Sequence, residues 1–311
     1  MTEASSSSAT GIDRRCLLAA TGAAAVALGL DGGRSVYAQA GAPAAATPAP
    51  SPDAGKVSLE RLPGGILLIG IDRAQAKNRL DPPILIGLGK AYYQLDHDDS
   101  LRVAVLHGVG SDFCVGLDVP AFNAAAAAGI LPPKDPDFIG PAGIDQRRAK
   151  PVVVAVQGAV NSIGHELFLA ADIRIAASDT LFAQLEVANG SFPAGGATVR
   201  FSREAGWGNA MRYMLTGDKW SAEEAYRMGL VQEITPPGKQ LERATDLAKK
   251  VAAVAPLGVR AALASAHEAI APEETAFKSL RPEFQRLQRS EDAAEARNAL
   301  QQKRAPVFQG R

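Results

Sequence analysis

Short apolar runs that alternate with helical stretches constrain this chain more than any other feature. Gly65–Ile71 (GILLIGI) reads as a buried strand, Arg102–His107 (RVAVLH) and Val152–Val156 (VVVAV) as two more, and Asp172–Ala177 (DIRIAA) as a fourth. Helices are predicted over Pro82–Leu95, near Gly164–Ala171, from Ala222 toward Met228 and over Gln240–Ala255. Pro256–Gln302 is almost wholly helical in pattern, with Pro272 and Pro282 as breaks. Strands separated by helices predict an α/β domain rather than a barrel or sandwich. The last fifty-odd residues read as an appended helical layer, a common device for oligomer contacts.

At 311 residues and 47% apolar content the chain can bury a substantial core, as one large domain or two ordinary ones. Basic and acidic residues both number 33, so the basic excess that a nucleic-acid surface needs is missing. The first forty residues stand apart. Arg14-Arg15 precede an apolar run from Ala19 to Leu30, and Ala38-Gln39-Ala40 supplies small residues for cleavage. This is the pattern of a twin-arginine export signal over 1–40, which sends a chain to the periplasm. Its apolar run is too short for a permanent membrane span. Gly41–Gly55, with four prolines among alanines, is expected to be a flexible linker. It leads into a core over 56–255 and a helical region over 256–311. Cys16 lies in the signal, so Cys114 is left without a disulfide partner.

Several common chemistries drop out. Gly108-Val109-Gly110 lacks the third glycine of a dinucleotide fingerprint, and neither a GxxxxGK[ST] phosphate loop nor a GxSxG nucleophile elbow occurs. His165-Glu166 is not followed by His at the zinc spacing, since position 169 is Leu, and no metal site is expected.

Three segments remain: Asp112–Asp118 (DFCVGLD) straight after a strand, Val156–Asp172 (VQGAVNSIGHELFLAAD), and Phe182–Glu186 (FAQLE) leading to Phe192–Gly196 (FPAGG). Gly158 ends a β-branched strand, and Ile163-Gly164 begins a helix whose first amides lack intrahelical acceptors. Those amides and the positive end of the helix dipole suit a developing oxyanion. A second amide is available at Gly116-Leu117. Ser162 reads as a plain N-cap. Glu166 in the first turn gains from the dipole, which alone is a structural explanation of a glutamate there. Glu186, twenty residues on, returns to the same end of the sheet. Two carboxylates there can share a water, one as base and one as proton donor, and their closeness keeps one protonated.

In order and spacing these segments resemble the enoyl-CoA hydratase/isomerase (crotonase) superfamily over about Lys56–Arg311. Ile71-Asp72-Arg73 … Lys77-Asn78-Arg79-Leu80 is similar to the family's LNRP…NAL, Phe113–Asp118 to FCAGxD, and Leu215–Asp218 to LTG(D/E). Ser290-Glu291-Asp292 … Lys303–Phe308 resembles its tail. The resemblance implies a spiral of ββα turns with a C-terminal helical layer that builds homotrimers, often paired into hexamers. It implies an oxyanion hole from the backbone amides of Leu117 and Ile163 around a thioester carbonyl, with Glu166 and Glu186 flanking the water. It also implies that Asp118 lines the adenine side of a coenzyme A pocket and that Lys303 approaches the coenzyme's phosphate. Coenzyme A enters as part of the substrate, and no separate cofactor is expected.

Two departures stand out. The usual glycine triplet reads Ser162-Ile163-Gly164, so an Ile side chain crowds the acyl end. His165 occupies a position that the family varies, and reads either as a third titrating group or as a helix-start residue facing a neighbouring loop. The leading expectation is addition of water to a 2-enoyl thioester, or its elimination. The alternatives are double-bond isomerisation, hydrolysis of a coenzyme-free carbonyl such as a diketone, and a non-catalytic acyl-CoA-binding module. Thioesters of coenzyme A are cytoplasmic metabolites, so the export signal sits awkwardly with the first reading; without export the chain would be cytoplasmic.

Overall fold

The protein is described by a computed structural model. It describes residues 53–131, 133, 135–144, 146–189, 191, 193–269, 286 and 289–311. The expected export signal, nearly all of the Pro/Ala linker, Phe192 and the breaks at Pro272 and Pro282 lie outside the described residues.

Six strands form the main sheet: β1 (Lys56–Leu62), β2 (Ile66–Asp72), β3 (Val103–Gly108), β4 (Val152–Val156), β6 (Ile173–Ala177) and β9 (Glu233–Thr235). They lie in the order β1-β2-β3-β4-β6-β9, with β1 antiparallel to β2 and every other neighbour parallel. A small second sheet joins β5 (Ala159–Asn161), β7 (Leu181–Ala183) and β8 (Lys219–Ser221). Strands β2 to β4 are covered on both faces, which is why they read as unbroken apolar runs. On one face Leu67, Ile69, Leu106 and Val154 pack into the cluster that holds α1 (Pro82–His97). On the other, Ile66, Val103, Val105, Val153 and Ile175 meet Ala244, Ala248 and Ala252 of α7 (Gln240–Ala252). Those alanines, four apart, form a small-residue stripe along one helix face. Asp81 starts α1 by accepting from the Ile84 amide at 3.0 Å, with Pro82 in the first turn.

Strand pairs followed by helices then repeat. Strands β4 and β5 lead into α3 (Ile163–Leu169), and β6 and β7 lead, by way of residues 184–196, into α4 (Ala197–Ala205). This is the expected spiral of ββα turns. Three features differ from the sequence reading. Strand β1 is a mostly exposed edge, recognisable only by its pairing with β2. Helices α4 and α5 (Trp207–Met214) were not anticipated; Gly206, at φ 80°, breaks them apart. The helix expected over Gln240–Ala255 ends at Ala252, and α8 (Pro256–Glu268) starts afresh at Pro256.

Both ends of the folded region are tied down. Gly55 N donates to Asp81 Oδ2 at 2.7 Å and Arg73 Nε donates to the Asp53 carbonyl at 2.8 Å, so ordered contacts begin ahead of Lys56. After α9 (Glu291–Gln302) the chain turns back: Asp292 accepts from the amides of Gln309 and Gly310, and Arg102 donates to the Phe308 carbonyl. No helix among the described residues is long and apolar enough to cross a membrane.

Candidate active site

The site grows from the carboxyl ends of β3 and β4, parallel neighbours with Leu106 opposite Val154. Past β3 the chain pairs with the segment leaving β4: Phe113 N donates to Gln157 O (2.9 Å), Cys114 N to Ala159 O (3.0 Å) and Asn161 N to Cys114 O (2.9 Å). Buried Asn78 clamps the same loop through Nδ2, which donates to the carbonyls of Val109 and Asp112 at 2.9 and 2.7 Å. Gly164 is forced by this closeness, since a Cβ there would lie 2.7 Å from the Cys114 carbonyl oxygen.

Two amides emerge unpaired from this lattice. Leu80 N donates to Gly116 O and Asp118 N to Leu80 O, and the Leu117 N–H between them has no acceptor among the described residues. Ser162 N donates to Ala183 O and Glu166 N to Ser162 O, and the Ile163 N–H likewise has none among the described residues. Gly116, at φ 116°, lies beside Ser162: a Cβ on it would be 3.7 Å from the Ser162 Cβ. Ser162 does stand at the N-cap position, but its side chain caps nothing. Its backbone is at φ 54°, ψ −119°, a conformation costing about 1–3 kcal/mol for a residue with a Cβ. That torsion aims the Ile163 amide, which is where the strain is used.

Both predicted carboxylates sit at this end of α3. Glu166 is 2% exposed; its Oε1 accepts from the Ala197 amide at 3.1 Å. Burial pushes its carboxyl up to about 7, and the charge of Glu186 pushes in the same direction. Gly195 makes room for it, because a Cβ there would come within 2.4 Å of Glu166 Oε2. Glu186, just past β7, is also raised by burial, while hydrogen bonds from its own and the Leu185 amides, Gln184 and the Ser162 hydroxyl oppose the rise. The structure thus brings together Glu166, Glu186 and the amides of Leu117 and Ile163.

His165 is neither a titrating group of the neutral range nor a surface residue. It is 0% exposed and lies among Phe168, Phe182, Phe201 and Trp220, with ring centroids 5.0–6.1 Å away. Burial holds the imidazole pKa down at about 4. It does face a neighbouring loop, bonding through Nδ1 to Gln184 Oε1 at 2.6 Å, and Gln184 Nε2 donates to Glu186 Oε2 at 2.8 Å. Gln184 and the Ser162 hydroxyl are the polar partners that sequence reasoning missed. Their signal was their position within the quoted motifs, but nothing in spacing assigns a side-chain partner.

The other two expected residues are placed differently. Asp118 flanks Leu117, but its carboxylate is engaged: Oδ1 caps α2 (Val119–Ala127) at Ala121 N, and Oδ2 pairs with Arg73 Nη1 at 2.7 Å. Burial disfavours its charge, yet the hydrogen bonds from Arg73 and the Ala121 amide, with the charges of Arg73 and Arg79, together outweigh this and hold the carboxyl below its usual range. Lys303 is exposed at φ 52°, five residues before Phe308, whose carbonyl meets Arg102 at the opposite end of the sheet. Among the described residues no contact joins Lys303 to the other site groups.

The sequence profile of the family described as enoyl-CoA hydratase/isomerase matches residues 61–311. The enoyl-CoA hydratase EchA19 of Mycobacterium tuberculosis is 34% identical over 265 residues, 83% of this chain and 98% of that protein. The carnitinyl-CoA dehydratase of Salmonella typhi is 35% identical over 260 residues, 80% of this chain and 96% of its own length. Among solved structures, a probable enoyl-CoA hydratase/isomerase from Mycobacterium abscessus superimposes with a TM-score of 0.79 at 41% identity, covering 82% of this chain and 99% of that one. With the fold, the paired amides and both glutamates already in place, these matches lead to one conclusion: the chain belongs to the enoyl-CoA hydratase/isomerase family.

Proposed function

We propose that this protein is a lyase that adds water to a 2-enoyl-CoA, or removes it from the 3-hydroxyacyl-CoA. The observation that carries the reading is the convergence of two amides without an acceptor among the described residues, Leu117 and Ile163, with the buried carboxylate of Glu166 and the half-buried one of Glu186. The thioester carbonyl oxygen accepts from both amides, which stabilise the negative charge that develops on it as the enolate forms. Close carboxylates withdrawn from bulk water share one proton between them near neutral pH. The ionised member takes a proton from water as its oxygen bonds to Cβ, and the protonated member delivers a proton to Cα. One proton enters the pair and one leaves it, so the pair is restored. Coenzyme A is carried by the substrate and no further cofactor takes part.

The test is hydration of crotonyl-CoA and longer 2-enoyl-CoAs by the wild type and by Glu166→Gln and Glu186→Gln. Each variant is expected to lose about a hundredfold or more in kcat, the usual contribution of a positioned acid or base. A folded but inert wild type would sink the assignment; variants that keep full rate would sink the roles. Inertness with coenzyme A esters but turnover of coenzyme-free diketones would favour the hydrolase reading, which the export signal motivates.

The finer expectations belong to the same proposal. Asp118 lies beside the hole and lines the coenzyme's path by way of its Arg73 pair. Lys303, exposed on the tail, meets the coenzyme's phosphate only if the tail approaches a site, either its own or that of a second copy. Assembly into a trimer or hexamer is supported by Val199, Trp207 and Leu215, large apolar residues left exposed on and just after α4 and α5. Export to the periplasm rests on residues 1–40, and sequencing the mature amino terminus from fractionated cells decides it.

A further inference from the structure

We propose that His165 is a positioning residue: its ring N–H fixes the Gln184 amide so that the NH2 group, not the carbonyl, faces the Glu186 carboxylate. The proposal rests on the hydratase reading for its kinetic consequences but not for its geometry.

The Gln184 side chain is fully buried between two partners, His165 Nδ1 at 2.6 Å and Glu186 Oε2 at 2.8 Å. Turned by half a revolution, the amide would point its oxygen at a carboxylate. What His165 offers at Nδ1 therefore decides which end of the amide Glu186 meets. Burial keeps the imidazole neutral, so it carries one N–H. Its other nitrogen, Nε2, is buried without a hydrogen-bond partner among the described residues, in the box of Phe168, Phe182, Phe201 and Trp220. A buried donor without an acceptor is rarer and costlier than an under-used acceptor. The N–H accordingly sits on Nδ1 and donates to Gln184 Oε1, and the amide N–H donates on to Glu186.

The groups facing this relay are few. Arg174 is the charged group acting on His165, and it disfavours the imidazolium further. Glu186 meets the Gln184 amide, the Ser162 hydroxyl, its own and the Leu185 amides, and the charge of Glu166. The Gln184 bond favours the ionised form of Glu186. Its loss raises the proton affinity of the carboxylate pair and frees the Glu186 side chain to turn.

The experiment compares His165→Leu, which removes the donor, with His165→Asn, whose amide nitrogen can stand where Nδ1 stands. For His165→Leu the pH profile of kcat/KM should move to higher pH by about half a unit or more, and kcat should fall about tenfold with little change in KM. His165→Asn should restore both to near wild type. In a Gln184→Leu background, His165→Leu should add no further kinetic loss. The Glu186 carboxyl is also titrated by carbon-13 NMR in each variant, which needs no turnover. An unmoved Glu186 titration in folded His165→Leu overturns the proposal even if the wild type proves inert toward enoyl-CoA. If Glu186→Gln abolishes hydration while His165→Leu leaves both pH profile and titration unchanged, the hydratase reading stands and the positioning role falls. Should His165→Leu fail to fold, the Gln184→Leu titration and the His165→Asn rescue decide in the same way.

Discussion

Glu166 shows what a single reactive residue costs the fold. Its carboxyl is raised from an ordinary value to about 7, mainly by burial. A group whose proton affinity is higher folded than unfolded destabilises the native state as pH climbs from the unfolded value toward the folded one. Glu166→Gln keeps an oxygen for the Ala197 amide and removes the buried charge. It should match the wild type in thermal midpoint near pH 4.5 and exceed it at pH 8, by the order of 2 kcal/mol, while losing activity. Calorimetry at both pH values checks this, and an equal or lower midpoint at pH 8 contradicts it. At this scale the sequence was partly legible. The two glutamates and the two amides could be named from helix-start chemistry and resemblance. The orientation of Ser162 could not, because a hydroxyl at an N-cap position looks alike whether it caps the helix or, as here, bonds Glu186.

Helix α3 is held against the Phe113–Leu117 segment by Gly164. An alanine in mid-helix ordinarily gains up to about 1 kcal/mol over glycine. Here its Cβ would sit 2.7 Å from the Cys114 carbonyl oxygen and 2.8 Å from the Cys114 Cβ, and backbone cannot swing aside as a flexible side chain can. Overpacking of about 1–3 kcal/mol should win. Gly164→Ala is therefore expected to lower the thermal midpoint, to spread the Leu117 and Ile163 amides, and to cut kcat at least tenfold. A stable, fully active variant would show that this closeness is dispensable. The well-buried elements, β2, β3, β4 and α7, were legible because their apolar residues have nowhere else to go. The three-residue strands β5, β7 and β8 are too short to display a period, and β1 declares itself only by its partner. In α4 and α5 the polar residues and the glycines at 206 and 208 obscured a helical signal.

The whole molecule leaves large apolar side chains exposed on and just after α4 and α5. Trp207 is 73% exposed at the start of α5, with Val199 on α4 and Leu215 just after α5 also exposed. If copies associate through this surface, Trp207→Glu should shift sedimentation toward smaller species with near-native circular dichroism; an unchanged distribution would remove this surface from any such contact. Coarse architecture was readable from the sequence because one alternation of strands and helices admits few packings. A surface for self-association is not legible in the same way, because its partner would be another copy. The grip of Arg73 also matters for handling the protein. One guanidinium takes the Asp53 carbonyl, lies 3.6 Å from Asp81 and pairs with Asp118, next door to Leu117. Any passenger spliced ahead of Asp53 therefore hangs at the threshold of the reaction centre. Rates measured on material with a tag joined directly at Asp53 would report the tag along with the enzyme.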